Sequence, residues 1–280
     1  MEDFAGRVAV VTGAGSGIGR ATATRFAQEG MKVVLADIEQ SALDDAVDSL
    51  RGHGHEVLGV RTDVSDWAQV ESLAATTISH FGGVHVVHNN AGVVVSGPVE
   101  ELTLKDWDWV LGVDLFSVIY GIKAFLPHMK AQNEGHIVNT ASTAGLQSAS
   151  GIGPYNVAKF GVVALTETLR VELEGAGSAC SASVLCPGAI NTRIVESDRN
   201  RSAESADGHA SSDVEERFVE NAGRLLKEQG KEPAEVAEMV VNAIRRNDFW
   251  ILTHPEWKQV MKARVDALIE DNSLRQGFGG

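Results

Sequence analysis

Tyr155 and Lys159 are the residues of this chain whose types and spacing most plainly allow chemistry. Residues four apart on a helix share a face, so the Lys159 ammonium can stand beside the Tyr155 phenol and beside whatever that phenol touches. An unperturbed tyrosine has a pKa of ~10, and a fixed cation next to it favours phenolate. The spacing therefore predicts a tyrosine drawn down toward working pH, where general acid–base catalysis is most effective. Ser142 lies thirteen residues upstream in the polar stretch Thr140-Ala141-Ser142-Thr143. A glycine-rich turn, Thr12-Gly13-Ala14-Gly15-Ser16-Gly17-Ile18-Gly19, precedes them all, and the combination points to hydride transfer.

That turn follows an apolar run and opens a helical pattern, the context in which spaced glycines bind a pyrophosphate. Gly13, Gly17 and Gly19 let the backbone approach the ligand, and the helix N-terminus offers free N–H donors at the positive end of its dipole. Asp37, at the end of the second apolar run, suits the hydroxyls of an adenosine ribose and repels a 2′-phosphate. Neither Ser16 within the turn nor Ile38 after the acid supplies a cation, and Arg20 reads as a helix-surface residue. The expected cofactor is NAD rather than NADP.

Elements that could hold these residues follow from the apolar pattern. Short β-branched runs at Val8 to Val11, Val33 to Ala36, Val57 to Val60, Val84 to Val87, His136 to Val138, Ala182 to Leu185 and Phe249 to Leu252 read as strands buried on both faces. Helical periods fill Ile18 to Glu29, Ser41 to Arg51, Trp67 to Phe81, Thr103 to Met129 and Tyr155 to Leu173, as crossovers between parallel strands require. The predicted fold class is α/β, a single-domain, doubly wound parallel sheet of about seven strands with helices on both faces. Ligands in such sheets bind beyond the carboxyl ends of the strands, where every motif above falls.

In these residues the chain resembles the short-chain dehydrogenase/reductase family, in its compact single-domain branch. The matches are Thr12 to Gly19, Asp63-Val64, Asn89-Asn90-Ala91-Gly92, Ser142, Tyr155-x-x-x-Lys159 and Pro187-Gly188, in family order from about Arg7 to Leu252. The resemblance implies cofactor contacts from Gly13, Ser16, Gly17, Ile18, Gly19 and Asp37, with Asp63 and Val64 at the adenine. Asn90, Ala91 and Gly92 would shape the strand end beneath the cofactor, and Pro187, Gly188, Ile190 and Thr192 would border the nicotinamide. Ser142 would hydrogen-bond the substrate oxygen, Tyr155 would exchange its proton, and Lys159 would lower the tyrosine pKa while binding the nicotinamide ribose. One position departs from the pattern. Asp114 stands where the family usually has an Asn that stabilises a helix distortion and a water relay to the lysine. A buried carboxylate there would support that relay, and would tie down Lys159 or titrate with it.

Composition narrows the remaining readings. A formal net charge of −14 and scattered basic residues argue against nucleic acid as a partner. Cys180 and Cys186 show no metal-binding spacing, no metal is expected, and the N-terminus has no signal-peptide character, so a cytoplasmic protein is expected. No apolar run suggests a membrane span. The segments expected to wall the substrate, Val93 to Val99, Thr143 to Pro154 and Ala189 to Val219, carry Val93, Val94, Val95, Leu146, Ile152, Ile190 and Ile194. They suggest a hydrophobic or alicyclic secondary alcohol and its ketone, unless Arg193 and Arg199 meet an anionic substrate. A non-catalytic NAD-binding sensor and an NAD-using dehydratase or epimerase are the rival readings. Glu196 to Glu216 lacks an apolar period and reads as a mobile lid, within a substrate-side segment 196–223 of a catalytic domain 1–253. Residues 254–280 read as a helical extension, and the long apolar helices suggest a homo-oligomer, dimer or tetramer.

Overall fold

The computed structural model describes residues 1, 3–206 and 213–270. Strands β1 (Val8–Thr12), β2 (Lys32–Asp37), β3 (Val57–Arg61), β4 (Val86–Asn89), β5 (Gly135–Thr140), β6 (Cys180–Cys186) and β7 (Trp250–Leu252) form one sheet in the order β3-β2-β1-β4-β5-β6-β7. Every pairing is parallel, with Val11 opposite both Leu35 and His88, and Asn89 opposite Asn139. The strand order reverses between β1 and β4, which is where a doubly wound sheet leaves a crevice.

Side chains of period two send each strand's residues to opposite layers. Ala9, Val11, Val33 and Leu35 pack with helices α1 (Gly17–Gln28) and α2 (Gln40–Gly52) on one face. Val10, Val34 and Ala36 pack on the other with α3 (Trp67–Phe81) and the long helix that contains α4 (Leu104–Leu111) and α5 (Ser117–Ala131). Helix α6 (Gly153–Gly175) completes that second layer through Leu169 and Leu173. The segments read as strands from β-branched content are strands, shifted by up to two residues at their ends.

The expected helix Thr103 to Met129 is present, but Gly112–Phe116 winds as a π turn in its middle. Thr103 and Asp106 cap its start reciprocally, each side chain taking the other's backbone N–H. By length and composition alone Leu104–Ala131 is long and apolar enough to cross a membrane, its most apolar 18 residues averaging a hydropathy of 1.6. Here it is a sheet-covering helix, with Phe125 and Met129 buried in the core.

Among the described residues, four α-helices follow α6. After α7 (Ala203–Ala206) and α8 (Asp213–Gln229) come α9 (Pro233–Arg246) and α10 (Trp257–Glu270). The expected loop Glu196 to Glu216 is therefore helical at both ends, its 207–212 part lying outside the described residues, and α8 runs past the expected boundary at 223. Helix α9 buries Val236, Val240, Val241 and Ile244 against the α1 side of the sheet. Helix α10 buries Val260 and Ala267, and its Arg264 donates to the Leu146 carbonyl at 3.3 Å and covers the Phe160 ring. The Gly-rich end of the expected extension, 271–280, lies outside the described residues.

Two fully buried imidazoles tie neighbouring strands. His88 meets Thr140 Oγ1 at 2.9 Å, and His136 meets Ser183 Oγ at 2.7 Å. Burial pushes both rings down to about 3, from 6.5 for an ordinary imidazole. The unfolded chain thus takes up these two protons below pH 6.5 while the folded one does not, so stability falls as pH drops from 6.5 toward 3. The expected loss is about 1.4 kcal/mol per ring for each pH unit in that window. Urea unfolding at pH 7.5, 6.0 and 5.0 measures it, and replacing His88 by Asn removes its share of the slope.

Candidate active site

At the carboxyl end of β1 the chain reverses over Gly13, whose φ of +63° is left-handed and whose Cα faces Ala91 so closely that a Cβ would stand 2.9 Å from its Cα. Gly19 is packed from within: a Cβ there would lie 2.1 Å from the Gly13 carbonyl oxygen, and the residue does not face the cleft. Its part in the turn includes close packing. Thr12 fastens the turn to β4, its Oγ1 accepting from the Asn90 and Ala91 N–H groups at 2.9 and 3.1 Å. Ser16, the residue before α1, makes no side-chain cap, and no acid lies in the helix's first turn, so its N–H groups are left for an anion.

From this turn a cleft of about 380 Å³ runs both ways along the sheet edge. One end holds Asp37, Asp63 and Val64; Gly13, Ser16, Gly17, Ile18, Asn90, Ala91 and Gly92 form its floor. The other holds Ser142, Tyr155, Lys159, Pro187, Gly188, Ile190 and Thr192. Asp37 accepts from the Gly15 N–H at 2.8 Å and the Glu39 N–H at 2.9 Å, which fixes its carboxylate at the cleft while leaving lone pairs for hydroxyl donors. Asp63 likewise accepts from the Ser65 N–H and hydroxyl.

The proton-handling group is built by α6, β5 and the π turn. Lys159, 2 % exposed, donates to the Thr140 carbonyl at 3.1 Å and lies 5.3 Å from the Tyr155 ring centre. The π turn carries Asp114 inward to full burial, where Oδ1 accepts from the Val93 N–H at 2.8 Å. Its Oδ2 lies 2.9 Å from Lys159 Nζ. The two form a buried ion pair, 2 % and 0 % exposed. Gly92 leaves the room for this pair, because a Cβ there would sit 3.3 Å from Asp114 Oδ2 and 3.5 Å from Lys159 Nζ.

The direct contact ties down Lys159, as a buried carboxylate at this position was expected to, and it sets the electrostatics of the group. Burial pushes the Tyr155 hydroxyl up; Lys159 pulls it down, Asp114 pushes it up again, and the Ser142 hydrogen bond lowers it. The net direction is upward, the reverse of what Tyr155 and Lys159 alone imply. Burial also raises the Asp114 carboxyl, against the pull of Lys159 and the Val93 N–H. For Lys159 burial works downward and is outweighed by Asp114 and Tyr155, so the ammonium is held above its ordinary value. A protonated Tyr155 beside a cation is ready to donate a proton and needs alkaline conditions to accept one.

The substrate end is less aliphatic than the sequence suggested. Val93, Ile190 and Ile194 line it, but Val95, Leu146 and Ile152 are buried in the core and Val94 does not face the cleft. Leu146 belongs with Val163 and Val184, and Ile152 bridges Gly97 through the backbone. Polar and charged residues around and after Ile194 stand beside the substrate end, Ser197 and Arg201 without a role foreseen from the sequence, and Arg193 and Arg199 held by carboxylates. Ser197, 3 % exposed, exchanges both backbone hydrogen bonds of Val94 through its hydroxyl at 3.0 Å. Arg199 pairs with Glu39 across the cleft at 3.3 Å, and Arg193 pairs with Glu196. The side chain of Arg201, 2 % exposed, pairs with Asp106 and covers the Trp109 ring, which faces the cleft. The contacts of Ser197 with Val94, Arg199 with Glu39 and Arg201 with Asp106 span 95 to 160 residues of sequence, and no local pattern announces them.

The cleft suits a dinucleotide on its own geometry. Glycines take the positions where a Cβ would collide, a helix N-terminus is open to an anion, and a carboxylate closes the ribose end. A family model described as short chain dehydrogenase matches residues 7–203. A crystal structure of a short chain dehydrogenase/reductase from Burkholderia phymatum in complex with NAD superposes with a TM-score of 0.97 at 41% identity, covering 100% of both chains. Similarity extends to a CLA biosynthesis dehydrogenase/reductase of Lactiplantibacillus plantarum, 32% identical over 98% of this chain and 96% of that protein. A C alpha-dehydrogenase of Sphingobium is 34% identical over 96% of this chain and 88% of its own length. With the turn, the crevice and the Tyr155-Lys159 face all in their places, the chain belongs to the short-chain dehydrogenase family.

Proposed function

We propose that the protein is an NAD-dependent oxidoreductase that interconverts a hydrophobic secondary alcohol and its ketone. The observation that carries this reading is one continuous cleft with Asp37 at one end and Ser142, Tyr155 and Lys159 at the other. NAD, when bound, supplies the hydride acceptor. Asp37 and Asp63 hold the adenosine end, the open N-terminus of α1 binds the pyrophosphate, and Ile190 with Thr192 contacts the nicotinamide. Ser142 orients the alcohol oxygen, Tyr155 takes its proton during oxidation and returns one during reduction, and Lys159 holds the ribose and the charge beside Tyr155. Asp114 sets how strongly Lys159 acts on that phenol. The NAD complex of the Burkholderia relative supports the cofactor. Free, buried Cys180 and Cys186 suit a reducing cytoplasm. Exposed Phe116, Val157 and Val171 suit a dimer or tetramer, which sedimentation velocity would read.

A panel of secondary alcohols offered with NAD, followed by nicotinamide absorbance, tests the reading; binding of NAD without turnover of any of them would sink it. Cofactor choice is tested at Asp37. Asn there keeps an acceptor for the Gly15 or Glu39 N–H but removes the charge that repels a 2′-phosphate. The ratio of kcat/KM with NADP to that with NAD is expected to rise several-fold in Asp37→Asn; an unchanged ratio assigns selectivity elsewhere.

A further inference from the structure

The substrate end has one wall built unlike the rest. Trp109 lies on α4 and faces the cleft beside Val93, Val113 and Tyr155. The guanidinium carbon of Arg201 lies 4.8 Å from the centre of its ring. Arg201 itself is absent from the cleft surface although Asn200 and Ser202 on either side line it, so its head group stands behind the indole. Its Nη2 donates to Asp106 and, at 2.8 Å, to the Ser205 carbonyl. Asp106 is in turn 1 % exposed and bound to the Thr103 N–H and hydroxyl at the start of α4. Capping, ion pair and ring contact therefore form one connected unit that presents the aromatic face of Trp109 to the cleft.

The unit fixes a flat aromatic surface against the cleft, since a stacked ring held by a desolvated ion pair has lost its rotameric freedom before any ligand arrives. The charges around it offer no unpaired cation to an anionic substrate. Every cation lining the cleft among the described residues is paired, Lys159 with Asp114, Arg193 with Glu196 and Arg199 with Glu39. Asp108 adds a carboxylate on the same side. Resting on the alcohol dehydrogenase reading above, we propose that Trp109 is the specificity-determining wall of the site and that the substrate is a neutral aryl carbinol, with its aryl ketone, whose ring packs on the indole. Arg201 acts as the positioning residue behind it.

The test compares 1-phenylethanol with 1-cyclohexylethanol, equal in carbon skeleton and different in the flatness of the ring. The wild type is expected to favour the phenyl alcohol in kcat/KM by about three- to tenfold, the worth of one aromatic pair beyond its buried area. Trp109→Phe keeps the preference. Trp109→Leu brings the ratio of the two alcohols to about one, chiefly through KM for the phenyl substrate. Arg201→Lys, which retains a cation for Asp106 but not the flat guanidinium, lowers the same ratio. A wild-type ratio of one or less, or a ratio that Trp109→Leu leaves untouched, overturns the aryl assignment and leaves the dehydrogenase reading standing. Bound NADH with neither alcohol nor its ketone turned over overturns both.

Discussion

Tyr155→Phe is expected to lower the rate of alcohol oxidation by about 10²- to 10⁴-fold, the usual contribution of a positioned acid or base. The substitution deletes one oxygen and leaves the ring, so packing against Val93, Val95 and Val110 persists. Lys159 keeps the Thr140 carbonyl and Asp114 as partners, which leaves the ribose-binding cation where it is. NAD affinity should therefore stay within about threefold, and the loss should fall on kcat. NADH fluorescence titration beside steady-state kinetics separates the two quantities. A variant that binds NAD weakly, or that retains more than about a tenth of the activity, would place the proton transfer on another group.

The second large effect is expected at Asp114. Its carboxylate opposes Lys159 at the Tyr155 hydroxyl, adding to the burial that raises that group. Asp114→Asn keeps an oxygen to accept the Val93 N–H and removes the charge. Lys159 then acts on Tyr155 without opposition, so the phenol ionises at lower pH. The rising limb of the oxidation profile should move toward acid, with a gain on the order of tenfold at neutral pH, while ketone reduction should fail earlier on the alkaline side. The sign is fixed: a group whose ionised form is less opposed titrates lower. Stability moves the other way, because the buried ammonium loses its counter-charge; the cost is about 3–5 kcal/mol where nothing compensates, less if the amide oxygen shares the ammonium. Coincident pH profiles for wild type and Asp114→Asn would show that the ion pair does not govern Tyr155.

Much of this site was legible because its parts lie on local patterns. The glycine turn, Asp37 and the Tyr155-Lys159 spacing each sit at a strand end or on one helix face, and strand ends of a doubly wound sheet converge. Gly19 shows the limit of that logic, since a glycine needed for packing and one needed for a ligand look alike in sequence. The Asp114 substitution and its hold on Lys159 were visible, but the π turn that carries it inward and the space left by Gly92 are features that no period reveals. The charge-rich stretch after Ile194 was the least legible. Its order comes from Ser197, Arg199 and Arg201 reaching partners about a hundred or more residues away, and a sequence rich in Ser, Glu and Arg reads as solvated until those partners are known. Helix α9 carries a plain helical signal, with Val236, Val240 and Ile244 four apart behind Pro233.

Transfer of an isotope tests the central claim most directly. A secondary alcohol carrying deuterium at its carbinol carbon, 1-phenylethanol for choice, is incubated with the protein and NAD, and both products are weighed by mass spectrometry. Direct hydride transfer predicts one deuterium in the reduced nicotinamide for each ketone formed, in wild type and, far more slowly, in Tyr155→Phe. Ketone formation with unlabelled NADH, or bound NAD with no deuterium moved from any secondary alcohol, would contradict it.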